Sequence, residues 1–429
     1  MGCDVRAIAE DPMRTKLALG ALLTLAVTLP DPVFAAGYDT PILYSARHMG
    51  MGGAAIGYVN DPSALFHNPA GLARTGAGAA MADFSPLIGW IWASPEKPNQ
   101  DVQSKMTFAP MFLAGGSYRV HDRVWLGLGV YPVASAGGAF EYDADGSHFV
   151  DSTKLVFIEA SPGLGFKILD NLSLGASWRF ANVSFRREKN MIKDGSTTKQ
   201  LDLDLKANNF SGFRVGLQWA PVDGVDIGLV YRSKTETVTK ADTGTIVVPV
   251  VDPSLKFVLP SKFGLGINYR ILPALRAALD VEYTLQSENG RNSVEAKLQS
   301  DGKTPFGLAN VSDWSDNVTI RGGLGYYVTP SVEARAGYLF DGRASNTLYP
   351  SAFGTPPGPT HTATLGAGFA VNESLTLGFA AAARMGSADV QGDKGDGKLP
   401  TDCAACGKAG EYKIALYGAY VDAVWRFGK

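Results

Sequence analysis

Long hydrophobic runs, charge and cysteine are what this 429-residue chain has little of. Its one long apolar run, Leu17 to Leu29, covers 13 residues, short of the roughly 20 that a helix needs to cross a bilayer. A polytopic helical membrane protein is therefore excluded. Charged residues make up 19% of the chain, against roughly 25% in ordinary globular proteins. The formal charge of −2 leaves no basic surplus for nucleic acid. The shortage of charge does not signal disorder, which pairs low hydrophobicity with high net charge; here 45% of residues are hydrophobic. What is abundant is glycine, with 50 residues where an average share of about 7% would give roughly 30. Mean hydropathy is +0.01.

Arg14 and Lys16, the apolar run, Pro30 and the small pair Ala35 and Ala36 follow the order of a secretory signal peptide. Cleavage is expected after Ala35 or Ala36. Cys3 would leave with this leader, so the exported chain keeps Cys403 and Cys406. One pair of thiols in an exported protein is expected to form a local disulfide. A thioredoxin-type site would need the pair to open a helix within a βαβ unit, and a zinc site would need two more ligands.

From about Ala77 the chain alternates between apolar and small or polar residues, the period of β-strands. Leu275, Ala277, Leu279, Val281 and Tyr283 form one face of such a segment; Arg276, Ala278, Asp280 and Glu282 form the other. Six tight turns, near residues 121–122, 169–171, 222–224, 272–273, 329–331 and 372–373, alternate with seven longer polar stretches. Those stretches lie near 95–106, 134–152, 189–200, 234–252, 286–312, 341–360 and 386–410. Thirteen connections join fourteen strands. Short turns on one side and long loops on the other are the pattern of an outer-membrane barrel. The fold class expected is all-β, a 14-stranded antiparallel transmembrane β-barrel with both termini in the periplasm. A strand in lipid satisfies its backbone groups only when the sheet closes, and a polar or small lumen face keeps average hydropathy near zero. Aromatics should gather in girdles, with Trp90, Trp92, Trp125, Trp178, Trp219 and Trp425 in or near strands. A soluble all-β repeat would carry more charge on its solvent faces. In the last strand, Tyr412, Ile414 and Leu416 are out of phase with Val421, Ala423, Trp425 and Phe427. Either a bulge lies near Gly418 or the lumen is apolar at that height.

Residues 37–76 do not alternate. Asp61 and Pro62 suit the start of a short helix, Ser63 to His67, which Pro69 and Gly71 stop. Forty such residues before a barrel are best housed inside it. Asn68-Pro69-Ala70-Gly71-Leu72, preceded by Met49-Gly-Met-Gly-Gly-Ala and Asp61-Pro-Ser-Ala, resembles the hallmark of the FadL/TodX family of outer-membrane transporters for long-chain fatty acids and other hydrophobic compounds. Leu126-Gly-Leu-Gly-Val-Tyr-Pro and Leu259-Pro-Ser-Lys-Phe-Gly-Leu-Gly-Ile-Asn-Tyr-Arg are similar to recurrent strand patterns of that family. The chain departs from barrels that end on an aromatic residue, since Gly428 and Lys429 follow Phe427. The resemblance implies a signal peptide over 1–36, a small N-terminal hatch inside the lumen over 37–76 and a barrel over 77–429, in the outer membrane of a Gram-negative bacterium.

It also implies uptake of hydrophobic compounds, foremost long-chain fatty acids, by loop capture, lumen binding and lateral exit through a wall gap at a kinked third strand. Proline donates nothing to a sheet ladder and glycine weakens strands, so Pro132, Gly137 and Gly138 are the candidates for that gap, with Pro162 on the next strand as a neighbour. A carboxylate cargo would meet a lumen arginine, and Arg179, Arg321, Arg335 and Arg276 fall on presumed lumen faces. If all four prove paired, a neutral aromatic hydrocarbon of the same family's range becomes the better cargo. A polar-solute porin would need an open, charge-lined lumen, which a forty-residue hatch opposes. An outer-membrane enzyme would need a nucleophile, a base and an orienting group, whereas His48, His67, His121, His148 and His361 are scattered. Neither catalytic residues nor a cofactor or metal ion is expected. The expected partners are the hydrophobic cargo, outer-membrane lipid and the barrel-assembly machinery, for a monomeric protein.

Overall fold

The computed structural model describes residues 43–353, 357–392, 395, 397–403 and 405–428. The expected leader and the first residues of the expected hatch, 37–42, lie outside the described residues. The alternating segments form a closed antiparallel barrel of fourteen strands. In chain order these are β1 (Gly78–Ala93), β2 (Thr107–His121), β3 (Val124–Ala144), β4 (Ser147–Leu169), β5 (Leu172–Lys193), β6 (Ser196–Val222) and β7 (Val225–Arg232, continued by Thr235–Lys240). They are followed by β8 (Val248–Leu259, continued by Lys262–Leu272), β9 (Leu275–Thr284, continued by Arg291–Leu298), β10 (Pro305–Val311, continued by Asn317–Thr329), β11 (Val332–Asp341), β12 (Thr360–Ala370), β13 (Leu375–Val390) and β14 (Gly410–Phe427). β14 closes on β1 in a register that runs from Gly78 opposite Phe427 to Trp92 opposite Lys413. All six short turns fall where the sequence places them, and Gly78 and Phe427 lie at the same rim.

The long connections differ from expectation. Those near 95–106, 341–360 and 386–410 are largely irregular, but the polar stretches at 134–152 and 189–200 continue as paired strand. Their hairpins close on Asp145-Gly146 and Asp194-Gly195, all four residues having positive φ, as tight hairpin turns require. β6 reaches 27 residues, far beyond the roughly 10 that cross the membrane. Outside lipid a strand needs no apolar outer face, so polar alternation there still pairs.

Outward-facing side chains are apolar and aromatic. Tyr118, Trp219, Tyr269, Tyr326 and Trp425 are exposed near the short-turn rim, and Trp178, Phe210, Phe263 and Tyr283 form a second tier above them. Trp125 differs: it points inward and donates to the Gly76 carbonyl across 2.6 Å. β14 keeps one phase throughout, with Tyr412, Ile414, Tyr420 and Val424 buried while Tyr417, Val421 and Trp425 face outward. The lumen is therefore apolar at the upper height, and no bulge is present near Gly418.

Residues 43–76 pack against the inward faces of the strands. They contain α1 (Ala46–Met49), α2 (Ala64–His67) and a 3-10 turn (Pro69–Arg74). The helix starts one residue later than the sequence suggests, with Asp61 accepting from the Ser63 backbone across 2.9 Å. Elements this short leave most of their N–H groups without partners of their own, and the wall supplies acceptors. Asp83 of β1 and Asp422 of β14 accept from the backbone of Ser45 and Ala46 at 3.2 and 2.6 Å. Asp280 of β9 accepts from Ala55 and Ile56 at 2.7 and 2.9 Å. The Asn68 amide donates to the carbonyls of Ile56, Leu217 and Leu229. Glycine makes this contact close enough: a Cβ on Gly228 would collide with the Ile56 carbonyl, one on Gly216 with the Asn68 side chain, and one on Gly175 with the Pro69 backbone.

Candidate functional site

The ladder between β2 and β3 is incomplete. It begins beside the short turn at His121 and Val124 and ends where Ala114 faces Val130. Beyond that, β2 from Thr107 to Leu113 pairs only with β1, and β3 from Tyr131 onward pairs with β4. The chain before β2 meets β3 again at the Lys105 N–H, which donates to the Ala139 carbonyl across 2.7 Å. A window without cross-strand hydrogen bonds thus opens between Ala114 and Val130 on one side and Lys105 and Ala139 on the other.

The residues of β3 explain why. Pro132 brings no N–H to the ladder, and the register to β4 slips between Pro132 and Ala134, leaving Val133 as the extra residue of a bulge. The in-out alternation lapses at the same place, because Tyr131, Pro132, Val133 and Ala134 are all buried. The segment has left the lipid face and turned inward. Gly137 has φ +148, and a Cβ there would strike the Thr153 carbonyl. Gly138 lies opposite Thr153, with the side chains of Ile91, Phe140 and Ser104 around it. Pro162 stays opposite Leu128 in an unbroken β3–β4 pairing, so the wall is continuous with β3 there.

The N-terminal segment reaches this window. The Tyr44 hydroxyl donates to the Pro132 carbonyl across 2.6 Å, and the Phe66 ring stands edge-on between Tyr44 and Tyr131, with centroids 5.1 and 5.4 Å away. The Tyr131 hydroxyl in turn donates to the Leu65 carbonyl at 3.0 Å. Asn68, Pro69, Ala70 and Gly71 sit farther round, against β5 and β6, where the Asn68 Oδ1 also accepts from the Ala70 N–H at 3.2 Å.

Inside the wall, on the long-loop side of the window, lies a cavity of about 260 Å³. Ala136 of the bulged segment lines it, with a floor of Leu155, Phe185, Leu203, Leu255 and Phe257. Two cations at its rim are held by carboxylates, Arg187 by Asp151 and Lys189 by Glu96 at 2.5 Å, and Lys408 also lines it. The floor residues lie just outside the stretches expected as loops, whereas Ala136, Val294 and Leu308 of the lining fall within them. Leu201, Leu203 and Leu205 alternate on β6, as do Leu255, Phe257 and Leu259 on β8.

None of the four arginines lines this cavity. Each meets a carboxylate instead. Arg179, fully buried, donates from Nε to Glu159 across 2.8 Å and from Nη1 to the Ser233 carbonyl. Arg321 donates to Glu282 at 3.1 Å. Arg335 and Arg276 share Glu333, at 3.0 Å from the Arg335 Nε and 2.8 Å from the Arg276 Nε.

Over the cavity, Ser351, Ala352 and Phe353 of the β11–β12 connection and residues 405–408 of the β13–β14 connection form a roof. Cys403 and Cys406 are joined by a disulfide, and Cys403 Sγ accepts from the Val311 N–H at 3.4 Å. On the outer side, Arg291 donates to Asp402 at 2.6 Å, to the Tyr349 hydroxyl at 2.9 Å and to Asp313 at 3.1 Å. That hydrogen bond from Arg291 holds the Asp402 carboxyl below the usual carboxylate range.

A family profile described as outer membrane protein transport protein (OMPP1/FadL/TodX) matches residues 33–410. Among solved structures, a Pseudomonas aeruginosa FadL homologue superposes with a TM-score of 0.72 at 19% identity, covering 92% of this chain and 100% of that one. The Ralstonia pickettii toluene transporter TbuX gives 0.66 at 17% identity, with 90% and 99% covered. The Pseudomonas putida toluene transporter TodX gives 0.65 at 16%, with 92% and 100% covered. No curated protein sequence matches this chain.

Proposed function

The chain belongs to the FadL/TodX family of outer-membrane transport proteins, and from that premise we propose that it admits small, neutral hydrophobic compounds, monoaromatic hydrocarbons above all, and releases them sideways through the β2–β3 window. The observation that carries this reading is the break in the ladder from Ala114/Val130 to Lys105/Ala139, with a cavity of apolar floor behind it. Apolar cargo gains about 25 cal/mol for each Å² it buries, so a path from apolar floor to lipid needs no passage through water. A cavity of roughly 150 Å³ takes benzene; this one is larger.

The choice of neutral cargo over long-chain fatty acids rests on charge. Arg179, Arg321, Arg335 and Arg276 are each engaged by a glutamate, and the cavity floor offers only hydrocarbon. Toluene transporters occur among the similar structures, as does a FadL homologue; their low identity leaves the decision to these pairings. In this reading residues 37–76 act as the hatch, and Pro132, Gly137 and Gly138 shape the gate. Family membership speaks for a channel rather than an enzyme.

The test removes the bulge residue. Deleting Val133 lets β3 keep one register, and uptake of a radiolabelled monoaromatic by proteoliposomes should fall strongly while the folded barrel persists. Undiminished uptake would remove the window from the mechanism, and efficient uptake of oleate with none of toluene would reverse the cargo assignment.

A further inference from the structure

The roof over the cavity is tied on both sides. Outside, one guanidinium, that of Arg291 on the upper part of β9, gathers Asp313 from the interruption of β10, Tyr349 from the β11–β12 connection and Asp402 from the β13–β14 connection. Inside, Phe353 of the β11–β12 connection enters the cavity lining. Its ring stands edge-on to Phe140 with centroids 5.3 Å apart, and the Arg187 guanidinium lies 4.4 Å over it. The two roof connections are also joined to each other, since the Gly407 N–H donates to the Pro350 carbonyl across 2.8 Å. Tyr349 and Cys403 also pack in one apolar cluster with Val311, and a disulfide joins Cys403 to Cys406.

From this arrangement we infer that the roof is a lid that admits cargo from outside the cell, with Arg291 as its clasp and Phe353 as a plug that cargo displaces. The inference rests on the transport reading above. Arg291 is 59% exposed at its side chain, and exposed ion pairs are weak and screened by salt. The clasp is therefore poised to open. The plug is made of the same chemistry as the proposed cargo: an aromatic ring held by another ring and by a cation over its face. An incoming monoaromatic offers the cavity equivalent contacts, so displacement of Phe353 exchanges one set for another. Arg291 touches no cargo; it is a positioning residue for the lid.

A reporter cysteine at Leu308, which lines the cavity beneath the roof, makes the lid measurable without transport. In the purified full-length Leu308→Cys protein, the rate of labelling by a maleimide from solution reads the open fraction. Arg291→Ala and Asp402→Asn should each raise that rate several-fold, and added salt should raise it in the parent but not in Arg291→Ala. Phe353→Ala should raise it further with no change in the salt response. Each variant is checked as a folded barrel by its heat-dependent gel mobility. Labelling unchanged by all three substitutions would overturn the lid. Labelling that rises while no variant takes up toluene or oleate would leave the lid standing and bring down the transport reading.

Discussion

The Tyr44 hydroxyl donates to the Pro132 carbonyl across 2.6 Å, joining the N-terminal segment to the residue at which the β3–β4 register slips. One hydrogen bond thereby links the position of residues 43–76 to the shape of the window, and movement of Tyr44 takes with it the contacts that hold Tyr131 and Phe66 beside the gap.

Tyr44→Phe isolates that link. The ring and its packing remain, but the Pro132 carbonyl loses its donor, at a cost of about 1–3 kcal/mol for an unsatisfied buried group. Monoaromatic uptake should change several-fold while the unfolding temperature of the barrel moves little, because the strand ladders elsewhere are untouched. Unaltered uptake would mean that segment and window are uncoupled.

Gly228→Ala tests the packing of the N-terminal segment. A methyl group there collides with the Ile56 carbonyl, which sits against β7 with no room to spare. Residues 43–76 should become accessible to protease and the barrel should gain ion conductance. Gly322→Ala serves as the control, since its Cβ would meet nothing closer than 3.8 Å. Equal protease resistance in both variants would contradict the close approach.

Much of this was written in the sequence, and the exceptions have physical causes. The tight turns and the strand total were legible because period-two alternation and Asp-Gly or Pro-containing turns are local signals. Pro132 is likewise a local signal, and the β3–β4 register slips beside it. The upper strands within 134–152 and 189–200 were read as loops because polarity was taken for irregularity. The fate of Arg179 was not legible, because Glu159 lies within reach only once strand register is known; Glu333, two residues before Arg335 on the same face, was a local neighbour. Tyr44 carries no local signal at all, since its partner is 88 residues away.

Glu333→Gln separates structural from cargo-binding roles for the arginines. Arg335 and Arg276 both lean on this carboxylate, and breaking a buried pair from one side costs about 3–5 kcal/mol. The barrel should unfold at lower temperature, while affinity for a neutral aromatic stays as it was. A large loss of affinity without a loss of stability would place this cluster in the cargo path.

The clasp also sets a dependence on pH. Hydrogen bonding from Arg291 depresses the Asp402 pKa, and the same contact raises that of Arg291. A carboxyl whose folded value lies below its unfolded one, about 3.9, contributes its stabilisation in full above that value and loses it as the pH falls through the folded one. Maleimide is a poor reagent in acid, so a dipyridyl disulfide, which protonation of its pyridine activates, should be used for the Leu308→Cys reporter. After correction for thiol reactivity, measured on the Arg291→Ala form, labelling should be flat from neutral pH down to the ordinary carboxylate range and rise only below it. Asp402→Asn removes the titrating partner while leaving Asp313 on Arg291, so its labelling should start higher and rise less. A rise centred near neutral pH, or one that Asp402→Asn leaves intact, would show that some other group holds the lid.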